Sequence, residues 1–256
     1  MTEPPQDPQQ QAQQDEHGMP VGPPVPGWAA RPPVVATILV GEHVRLEPLR
    51  AEHAAELYEP MVVHSDPRIW TYYPYSPRMS RAEFDACIAN ERGRPNGAAH
   101  LIRTADGAPQ GFASYLRIDP ANGSVEVGGI VYSSALQRTT AATEAMALMA
   151  RHVFDDLGYR RYEWKCDSLN APSRAAAARL GFTYEGRFRN AMVYKGRNRD
   201  TDWFSITDAE WPAIAAGYTA WLAPDNFDCQ GRQRTRLPEL IAASGTWDNR
   251  PHAPTA

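Results

Sequence analysis

Residues Ser124 to Ala150, SVEVGGIVYSSALQRTTAATEAMALMA, decide the fold of this chain of 256 residues. The stretch up to Tyr132 favours a β-strand, because Val, Ile and Tyr suit a pleated backbone. The pair Gly128-Gly129 predicts a bend or bulge within that strand. Beyond a short loop, apolar residues return at the spacing of a helix: Met146, Met149, Val153, Phe154 and Leu157. The order is therefore strand, loop and helix, with Thr139 or Thr140 as the helix cap.

A strand that runs into a helix N-terminus creates an anion site, because the first N–H groups of the helix have no partner within it. Neither the P-loop nor the G-x-G-x-x-G fingerprint occurs between this strand and helix. The loop reads QRTTAAT from Gln137 to Thr143. It resembles the acyl-CoA pyrophosphate loop of the GCN5-related N-acetyltransferases (the GNAT family), [QR]-x-x-G-x-[GA]. Gln137 matches the first position of that motif and Ala142 the last.

Thr140 stands where the family motif has its middle glycine. A β-branched residue rarely takes the positive φ that glycine allows. The loop therefore either keeps ordinary helical geometry or no longer holds a pyrophosphate. Hydroxyl groups of Thr139 and Thr140 and the charge of Arg138 are possible compensation. The alternative interpretation is a capped core helix without a ligand.

A second stretch strengthens the resemblance. Residues Arg160 to Gly186 contain a strand, an N-x-x-S sequence that opens a helix at Asn170, and then L-G-F and E-G. The GNAT family has the same order, and the resemblance covers Gly41 to Asp208 and points to the RimJ/RimL-type branch. It implies an α/β fold with a mixed, strongly twisted sheet flanked by helices. In that sheet, antiparallel N-terminal strands precede a splayed parallel central pair. A helical crossover between strands independently predicts the parallel pair.

Composition limits the classes of function. The net charge is −4, which gives no reason to expect a nucleic acid or a membrane surface as partner. The sequence shows neither a membrane-spanning apolar run nor a secretory signal. Its three cysteines and seven histidines lack the spacing of a disulfide framework or metal site. We expect a cytoplasmic protein that holds no metal.

Three regions are expected along the chain. Residues 1–33 are rich in Pro and Gln and predict a disordered arm. Residues 34–222 form the acyltransferase domain, and residues 223–256 form a polar extension that is partly draped on it and partly disordered. Within the domain, residues 50–64 predict a helix, and Ser80 with Glu83 predicts a capping box. Residues 190–200 predict a basic, turn-rich segment between two short strands.

The resemblance assigns residues to the donor. An N–H of the freed strand edge would bind the thioester oxygen, and the strand would pair with the pantetheine arm. Ser173 would act as general acid to the leaving thiolate. Ser173 is also a first-turn residue behind the cap Asn170, and both roles are compatible. The residues expected to bind the donor are Ile130, Val131, Tyr132, Gln137, Arg138, Thr139, Thr140, Ala141, Ala142, Thr143, Asn170 and Ser173.

The general base is less evident. Some RimL-like proteins use a glutamate on the strand after E-G, and Met192 stands at that position here. Glu126, on the central strand, is the nearest carboxylate candidate, since other branches place a glutamate there. Its alternative role is that of an ordinary strand residue paired with Arg117. A base that acts through water, or no base for an amine of low pKa, stays open.

Four aromatic residues crowd the loop between Asp66 and Tyr75: Trp70, Tyr72, Tyr73 and Tyr75. In similar acetyltransferases this loop covers the acceptor side, so we expect these residues to bind the acceptor. The alternative is a satellite hydrophobic cluster beneath a loop.

The predicted function is transfer of an acetyl group from acetyl-CoA to a primary amine. The amine belongs to a small metabolite or antibiotic, or to a protein N-terminus, and the open aromatic loop favours a small molecule. A homodimer is possible. The alternative is a non-catalytic relative that binds CoA or a partner, with transfer to oxygen as a third hypothesis.

Overall fold

The computed structural model describes residues 13 to 245, in two compact units that divide between Ala30 and Arg31. In the first unit, β1 (Gln13–Gln14) pairs antiparallel with β2 (Pro20–Val21). The Asp15 carboxylate closes the turn between them by accepting the N–H groups of His17 and Met19. The predicted disordered arm thus includes a short hairpin in its described part. Residues 1–12 of that arm lie outside the described residues.

The second unit is built on one sheet of eight strands. These are β3 (Leu39–Val40), β4 (Val44–Pro48), β5 (Ala98–Thr104), β6 (Pro109–Asp119), β7 (Ser124–Tyr132), β8 (Arg161–Asp167), β9 (Thr183–Tyr194) and β10 (Arg197–Thr207). Their order across the sheet is β3-β4-β5-β6-β7-β8-β10-β9. Only β7 and β8 run parallel, and the other neighbours are antiparallel. The predicted mixed sheet with a parallel central pair is confirmed.

Six α-helices accompany the sheet in the described residues. They are α1 (His53–Tyr58), α2 (Arg81–Arg92), α3 (Thr140–Arg151), α4 (Ala171–Arg179), α5 (Trp211–Leu222) and α6 (Leu237–Ala243). The helix predicted over 50–64 is shorter than expected and continues as a wider π turn, Glu59–Val63. Pro60 lies where a longer α-helix would need a donating N–H. The predicted capping box of α2 is present at Ser80 and Glu83.

The two faces of the sheet bury separate apolar layers. On one face, α3 and α5 cover a core that includes Tyr115, Tyr162 and Phe204. On the other face, α1, α2 and the loop after α1 cover Phe112 and Val131. Each large side chain buried in this way contributes about 1.5–3 kcal/mol to folding. The sheet therefore separates two apolar layers that are covered by different helices.

The segment from 190 to 200 differs from its prediction. Instead of an irregular turn between short strands, β9 and β10 form one long hairpin. Lys195 and Gly196 make its two-residue turn, and both have positive φ, at 49° and 69°. Those angles are typical of the type I′ turn, whose twist matches that of paired strands. The hairpin places the Lys195 side chain beside the aromatic loop of the other face.

The described part of the C-terminal extension packs on α5. Leu237 and Ile241 of α6 are completely buried. Gly217 permits this approach, since a Cβ atom there would lie 2.4 Å from Cγ1 of Ile241. Ordered packing therefore continues past residue 222 and through α6. The domain boundaries stay a prediction, and residues 246–256 lie outside the described residues.

Candidate active site

The parallel strands β7 and β8 separate midway. Their ladder runs from the pair Ser124–Arg161 to the pair Val127–Trp164. Both strands continue beyond it, β7 to Tyr132 and β8 to Asp167. Within the described residues, this part of β7 has no strand partner on its β8 side. The predicted splay of the central pair is therefore present, and it opens a gap through the sheet.

A β-bulge lies at the start of the gap. Ala113 of β6 opposes two residues of β7, Gly129 and Ile130, because the ladder pairs Ser114 with Gly128 and Phe112 with Val131. Gly129 has a φ of 57°, in the left-handed region that favours glycine. The bulge expected from the paired glycines is thus found at the second of them.

The loop before α3 adopts a conformation that the sequence did not predict. Thr140 is the first residue of α3, and the positive φ of 63° falls on Arg138. Thr139 caps the helix by accepting the N–H of Ala142, and its hydroxyl donates to the Leu136 carbonyl at 2.7 Å. That hydroxyl proton is therefore committed to the backbone rather than free for a phosphate.

Donors for an anion remain at this helix end. The backbone N–H groups of Arg138, Thr140 and Ala141 have no acceptor in the described part of the chain. The Thr140 hydroxyl likewise makes no hydrogen bond within residues 13–245. The side chains of Ala141, Ala142 and Thr143 are buried, so only their backbone could meet a ligand. The site thus keeps the anion-binding backbone without the family glycine.

Neighbouring side chains hold this loop in place. Gln137 Nε2 donates to the Tyr132 carbonyl at 3.3 Å, which joins the loop to the end of β7. Glu144 lies in the second turn of α3, and its side chain is buried. Its carboxylate accepts the backbone N–H groups of Glu42 and His43. Glu144 therefore anchors the turn between β3 and β4 to α3 rather than acting on the helix dipole.

Ser173 lies on the α3 side of the sheet, at the start of α4. Asn170 caps α4 by accepting the Ser173 N–H, as expected for N-x-x-S. Ser173 Oγ accepts the Trp164 indole N–H at 3.0 Å. This bond occupies a lone pair of Oγ and leaves the hydroxyl proton available to another acceptor. Burial raises the pKa of the neighbouring Cys166 thiol to about 11, with the Ser173 hydrogen bond opposing the rise.

A buried ion cluster fixes α4. The carboxylate of Asp202 is fully buried and contacts Arg174 Nε at 3.1 Å and Arg187 Nε at 2.7 Å. Arg174 directly follows Ser173, so the cluster fixes the first turn of α4 against β10. Arg174 and Arg187 therefore pair with a buried carboxylate.

Glu126 lies on the opposite face of the sheet from Val125 and Val127, which belong to the core on the α3 side. Its Oε2 atom contacts Lys165 Nζ at 3.0 Å and Arg117 Nε at 3.2 Å. Lys165 also contacts Glu163 at 2.8 Å and stacks over the Trp203 ring. The alternative role anticipated for Glu126, a pair with Arg117, is the arrangement observed.

The aromatic loop divides into buried and partly accessible residues. Trp70 is completely buried and donates its indole N–H to the Met61 carbonyl, so it supports the loop from beneath. Tyr72 donates to the Leu169 carbonyl at 2.8 Å, near the start of α4. Lys195 Nζ donates to the Trp70 carbonyl at 3.0 Å from the hairpin turn. The interpretation as a hydrophobic cluster therefore describes Trp70, and acceptor binding by Tyr72, Tyr73 and Tyr75 stays a prediction.

Glu91, in the last turn of α2, is a buried carboxylate that was not predicted as a site residue. Its side chain is fully buried, and Oε1 contacts Arg94 Nη2 at 2.6 Å. Tyr73 donates to Oε2 at 2.9 Å and Tyr75 to Oε1 at 3.3 Å. A Cβ atom at Gly129 would lie 3.2 Å from both Glu91 Oε2 and the Tyr73 hydroxyl. Glu91 is therefore the carboxylate that lies against the bulge itself.

With this geometry described, comparisons with known proteins are informative. The family model described as "Acetyltransferase (GNAT) domain" matches residues 43–183, more than half of the chain. The chain belongs to the GNAT family. It is an acetyl-CoA-dependent N-acetyltransferase, and acetyl-CoA is its co-substrate. The family predicted from the two sequence motifs is thus confirmed.

The chain is similar to three proteins of known sequence or structure. The crystal structure of a GCN5-related N-acetyltransferase from Brucella melitensis is 43% identical, with a TM-score of 0.82, and the match covers 85% of this chain and 100% of that one. The Bacillus subtilis (strain 168) protein "Putative ribosomal N-acetyltransferase YdaF" is 27% identical over 68% of this chain and 97% of its own, in keeping with the RimJ/RimL-type branch. The microcin C7 self-immunity acetyltransferase MccE, solved with acetyl-CoA and AMP, is 21% identical with a TM-score of 0.57. That match covers 65% of this chain and 93% of MccE, and it shows the common fold.

Among residues 13–245, no group of three or more His, Cys, Asp or Glu side chains is arranged to hold a metal ion. None of the helices described is both long enough and apolar enough to cross a bilayer.

Proposed function

We propose that this enzyme acetylates the primary amine of a small molecule by direct attack on the acetyl-CoA thioester. The observation that carries the proposal is the gap between β7 and β8, with Ser173 on one face and the Gly129 bulge at its start. The pantetheine arm of the donor would pair with the free edge of β7 from Ile130 to Tyr132. The unpaired N–H groups before α3 would bind the pyrophosphate.

The reaction balances with groups of this chain. The amine nitrogen forms a bond to the thioester carbon, and the carbon–sulfur bond breaks. Ser173 then gives its hydroxyl proton to the leaving sulfur, the nitrogen loses its extra proton to become the amide, and solvent takes up that proton and restores the one on Ser173. Trp164 supports this role, because its indole N–H occupies Ser173 Oγ and leaves the proton of that hydroxyl to be donated.

The acceptor side favours a small molecule. The aromatic loop is held near its middle, by Tyr72 to the Leu169 carbonyl and by Lys195 to the Trp70 carbonyl. A tied loop leaves less room for the terminus of a folded protein. An N-terminal α-amine is the second candidate acceptor, favoured by the ribosomal description of the Bacillus relative. Release of thiol from acetyl-CoA, measured with small amines and with short peptides bearing free N-termini, distinguishes the two classes.

The role of Ser173 is tested by Ser173→Ala. We expect kcat to fall by about 100-fold, the lower end of typical general acid catalysis. The Kd for acetyl-CoA, measured by calorimetric titration, should change little, since the donor's main anchors lie at α3. Ser244→Ala is the matched control, because Ser244 is an exposed helix-end residue that bonds only to the Leu240 carbonyl. Equal turnover by Ser173→Ala and the wild type would refute the assignment.

Donor binding tests the pyrophosphate loop and the alternative of a non-catalytic protein. We expect acetyl-CoA to bind with micromolar Kd, on the order of −8 kcal/mol. Binding without thiol release for any amine would favour a protein that binds CoA without transfer. The homodimer and the cytoplasmic location stay predictions. The described cysteines, Cys87, Cys166 and Cys229, are free, in keeping with a reducing compartment.

A further inference from the structure

We propose that Tyr73 and Glu91 form a proton relay that takes a proton from the acceptor amine as it attacks. This inference rests on the proposed function and names the missing base of the same site. Tyr73 would contact the amine, and Glu91 would act through Tyr73. The relay replaces the two bases that the sequence suggested, the absent glutamate at Met192 and the ion-paired Glu126.

Tyr73 and Glu91 lie directly beside the bulge. Gly129 marks the bulge at which the donor would enter the gap, and the Tyr73 hydroxyl and Glu91 Oε2 both lie 3.2 Å from the point where its Cβ would be. Glu126, by contrast, approaches Gly128, which precedes the bulge. The Tyr73–Glu91 pair is thus the proton-accepting group directly against the bulge.

Accessibility assigns the two roles. The Glu91 side chain is fully buried, so an acceptor cannot reach it without passing Tyr73. Tyr73 is only partly buried, and its ring is held edge-on by Trp70 and stacked on Tyr75. Its hydroxyl donates to Glu91 at 2.9 Å, which leaves the lone pairs of the phenol oxygen open to an N–H from the acceptor. The link nearest the substrate is therefore Tyr73.

The proton transfers balance. The attacking amine gives one proton to the phenol oxygen of Tyr73, and Tyr73 passes its own proton to Glu91 Oε2. Burial beside Glu91 raises the pKa of Tyr73 well above its usual range, so Tyr73 keeps its proton at neutral pH and acts as a relay rather than as a phenolate base. After product leaves, the proton returns through Tyr73 to water.

Ser114 is a further polar group at this point. Its side chain is 1% exposed, and Oγ has no hydrogen-bond partner within the described residues. Oγ lies 3.4 Å from the position of a Gly129 Cβ, on the strand next to the bulge. An unsatisfied buried hydroxyl costs free energy unless a ligand or water completes it. The amine or an ordered water at the bulge would do so.

Other charged or titratable groups also face this pair. Arg94 pairs with Glu91, and Cys87 of α2 and Tyr75 of the loop lie beside it. Glu126 approaches from β7, and Lys195 reaches the loop from the hairpin. Burial raises the pKa of both Cys87 and Tyr75 to about 12, so neither titrates near neutral pH.

The test measures kcat/KM against pH for Tyr73→Phe and Glu91→Gln, with two probe amines, propylamine and the more acidic glycinamide. Both variants should lose about 100-fold with propylamine near neutral pH. The loss should be smaller with glycinamide and should shrink as pH rises, because the nitrogen of the adduct then loses its proton more readily to water or hydroxide without the relay. Tyr58→Phe is the control, since the Tyr58 hydroxyl bonds to the Met79 carbonyl in the same apolar layer.

The outcomes separate the relay from the proposed function. A pH-independent loss that is equal for both amines indicates a structural role and overturns the relay. Unchanged kcat/KM in Tyr73→Phe also overturns it, while leaving acetyl transfer intact. If the wild-type enzyme binds acetyl-CoA but releases no thiol with any of the amines tested, both proposals are overturned. Thermal unfolding of each variant, compared with Tyr58→Phe, identifies any general loss of folding.

Discussion

Gly129 determines both the backbone conformation at the bulge and which polar side chains can lie against it. Its positive φ forms the bulge, and its missing side chain lets Glu91 and Tyr73 approach the strand. A side chain here would strain the backbone and also displace the polar groups. These two effects can be measured separately, because Gly107 has positive φ with no atom near its Cβ position.

We expect Gly129→Ala and Gly107→Ala to lose similar stability, about 1–2 kcal/mol each, from the strain of a left-handed alanine. Only Gly129→Ala should also lose kcat, by about tenfold or more, because its methyl group crowds Tyr73 and Glu91. Urea unfolding and thiol-release assays measure the two effects. If both variants keep the wild-type kcat, the bulge is not part of the reacting site.

Glu91 shows what single-residue reasoning could have found. Phe84, Cys87 and Ile88 define the buried stripe of α2, and Glu91 is the next position on that stripe. A carboxylate at an apolar position is a signal of a partner or a site. Its partners could not be read from the chain, because Tyr73 and Gly129 meet it only in the folded sheet.

At the scale of elements, the cap of α3 links a local sequence motif to donor binding. Thr139 closes the loop by bonding to both Ala142 and Leu136, which supports the left-handed conformation of Arg138. We expect Thr139→Ala to lose about 1 kcal/mol of stability and to weaken acetyl-CoA binding severalfold. Chemical unfolding and calorimetric titration with acetyl-CoA provide the two values.

Ser80→Ala is the control, since Ser80 caps α2 in the same manner but lies away from the pyrophosphate loop. It should lose comparable stability with an unchanged Kd for acetyl-CoA. Equal loss of affinity in both variants would mean that the effect comes from general destabilisation rather than from the loop.

Helices and strands could be predicted where the residues that specify them lie close together in the sequence. The strand, loop and helix from 124 to 150, the cap of α2 and the N-x-x-S helix all rest on residues close together in sequence. The full length of the β9–β10 hairpin was missed because residues 189–193 are all exposed, so no alternation of buried apolar residues marked them. The pair Lys195-Gly196 carried the one available turn signal.

At the scale of the whole molecule, the sheet separates the proposed donor side from the proposed acceptor side. The pyrophosphate loop and Ser173 lie on the α3 side, and Tyr73 and Glu91 lie on the α1 and α2 side. The gap after Val127 connects the sides. The proposed donor side draws on two short stretches, residues 137–143 and 170–173, and was predictable from motifs. The acceptor side joins residues from α2, β6, β7 and the aromatic loop, so it depends on the three-dimensional fold.

The stability of the whole fold should also depend on pH through a histidine of the sheet. His100 of β5 is completely buried, and its Nε2 accepts the Thr37 N–H at 3.2 Å. Burial lowers its pKa from 6.5 to about 4. Burial also lowers the pKa of His53, which acts in the same direction. Both rings are therefore neutral in the folded protein at pH values where the unfolded chain binds protons.

Because the unfolded state binds more protons below pH 6.5, the free energy of unfolding should fall as pH drops from there toward 4, by roughly 3 kcal/mol for His100 alone. Above pH 6.5 both states hold a neutral ring, so His100 contributes no slope. His100→Gln keeps an acceptor for the Thr37 N–H but cannot titrate. Urea unfolding between pH 7 and pH 4 should therefore show a smaller decline in this variant, although carboxylates contribute to both proteins. Parallel pH dependences would contradict the prediction and would mean that the folded protein accommodates a charged ring at position 100.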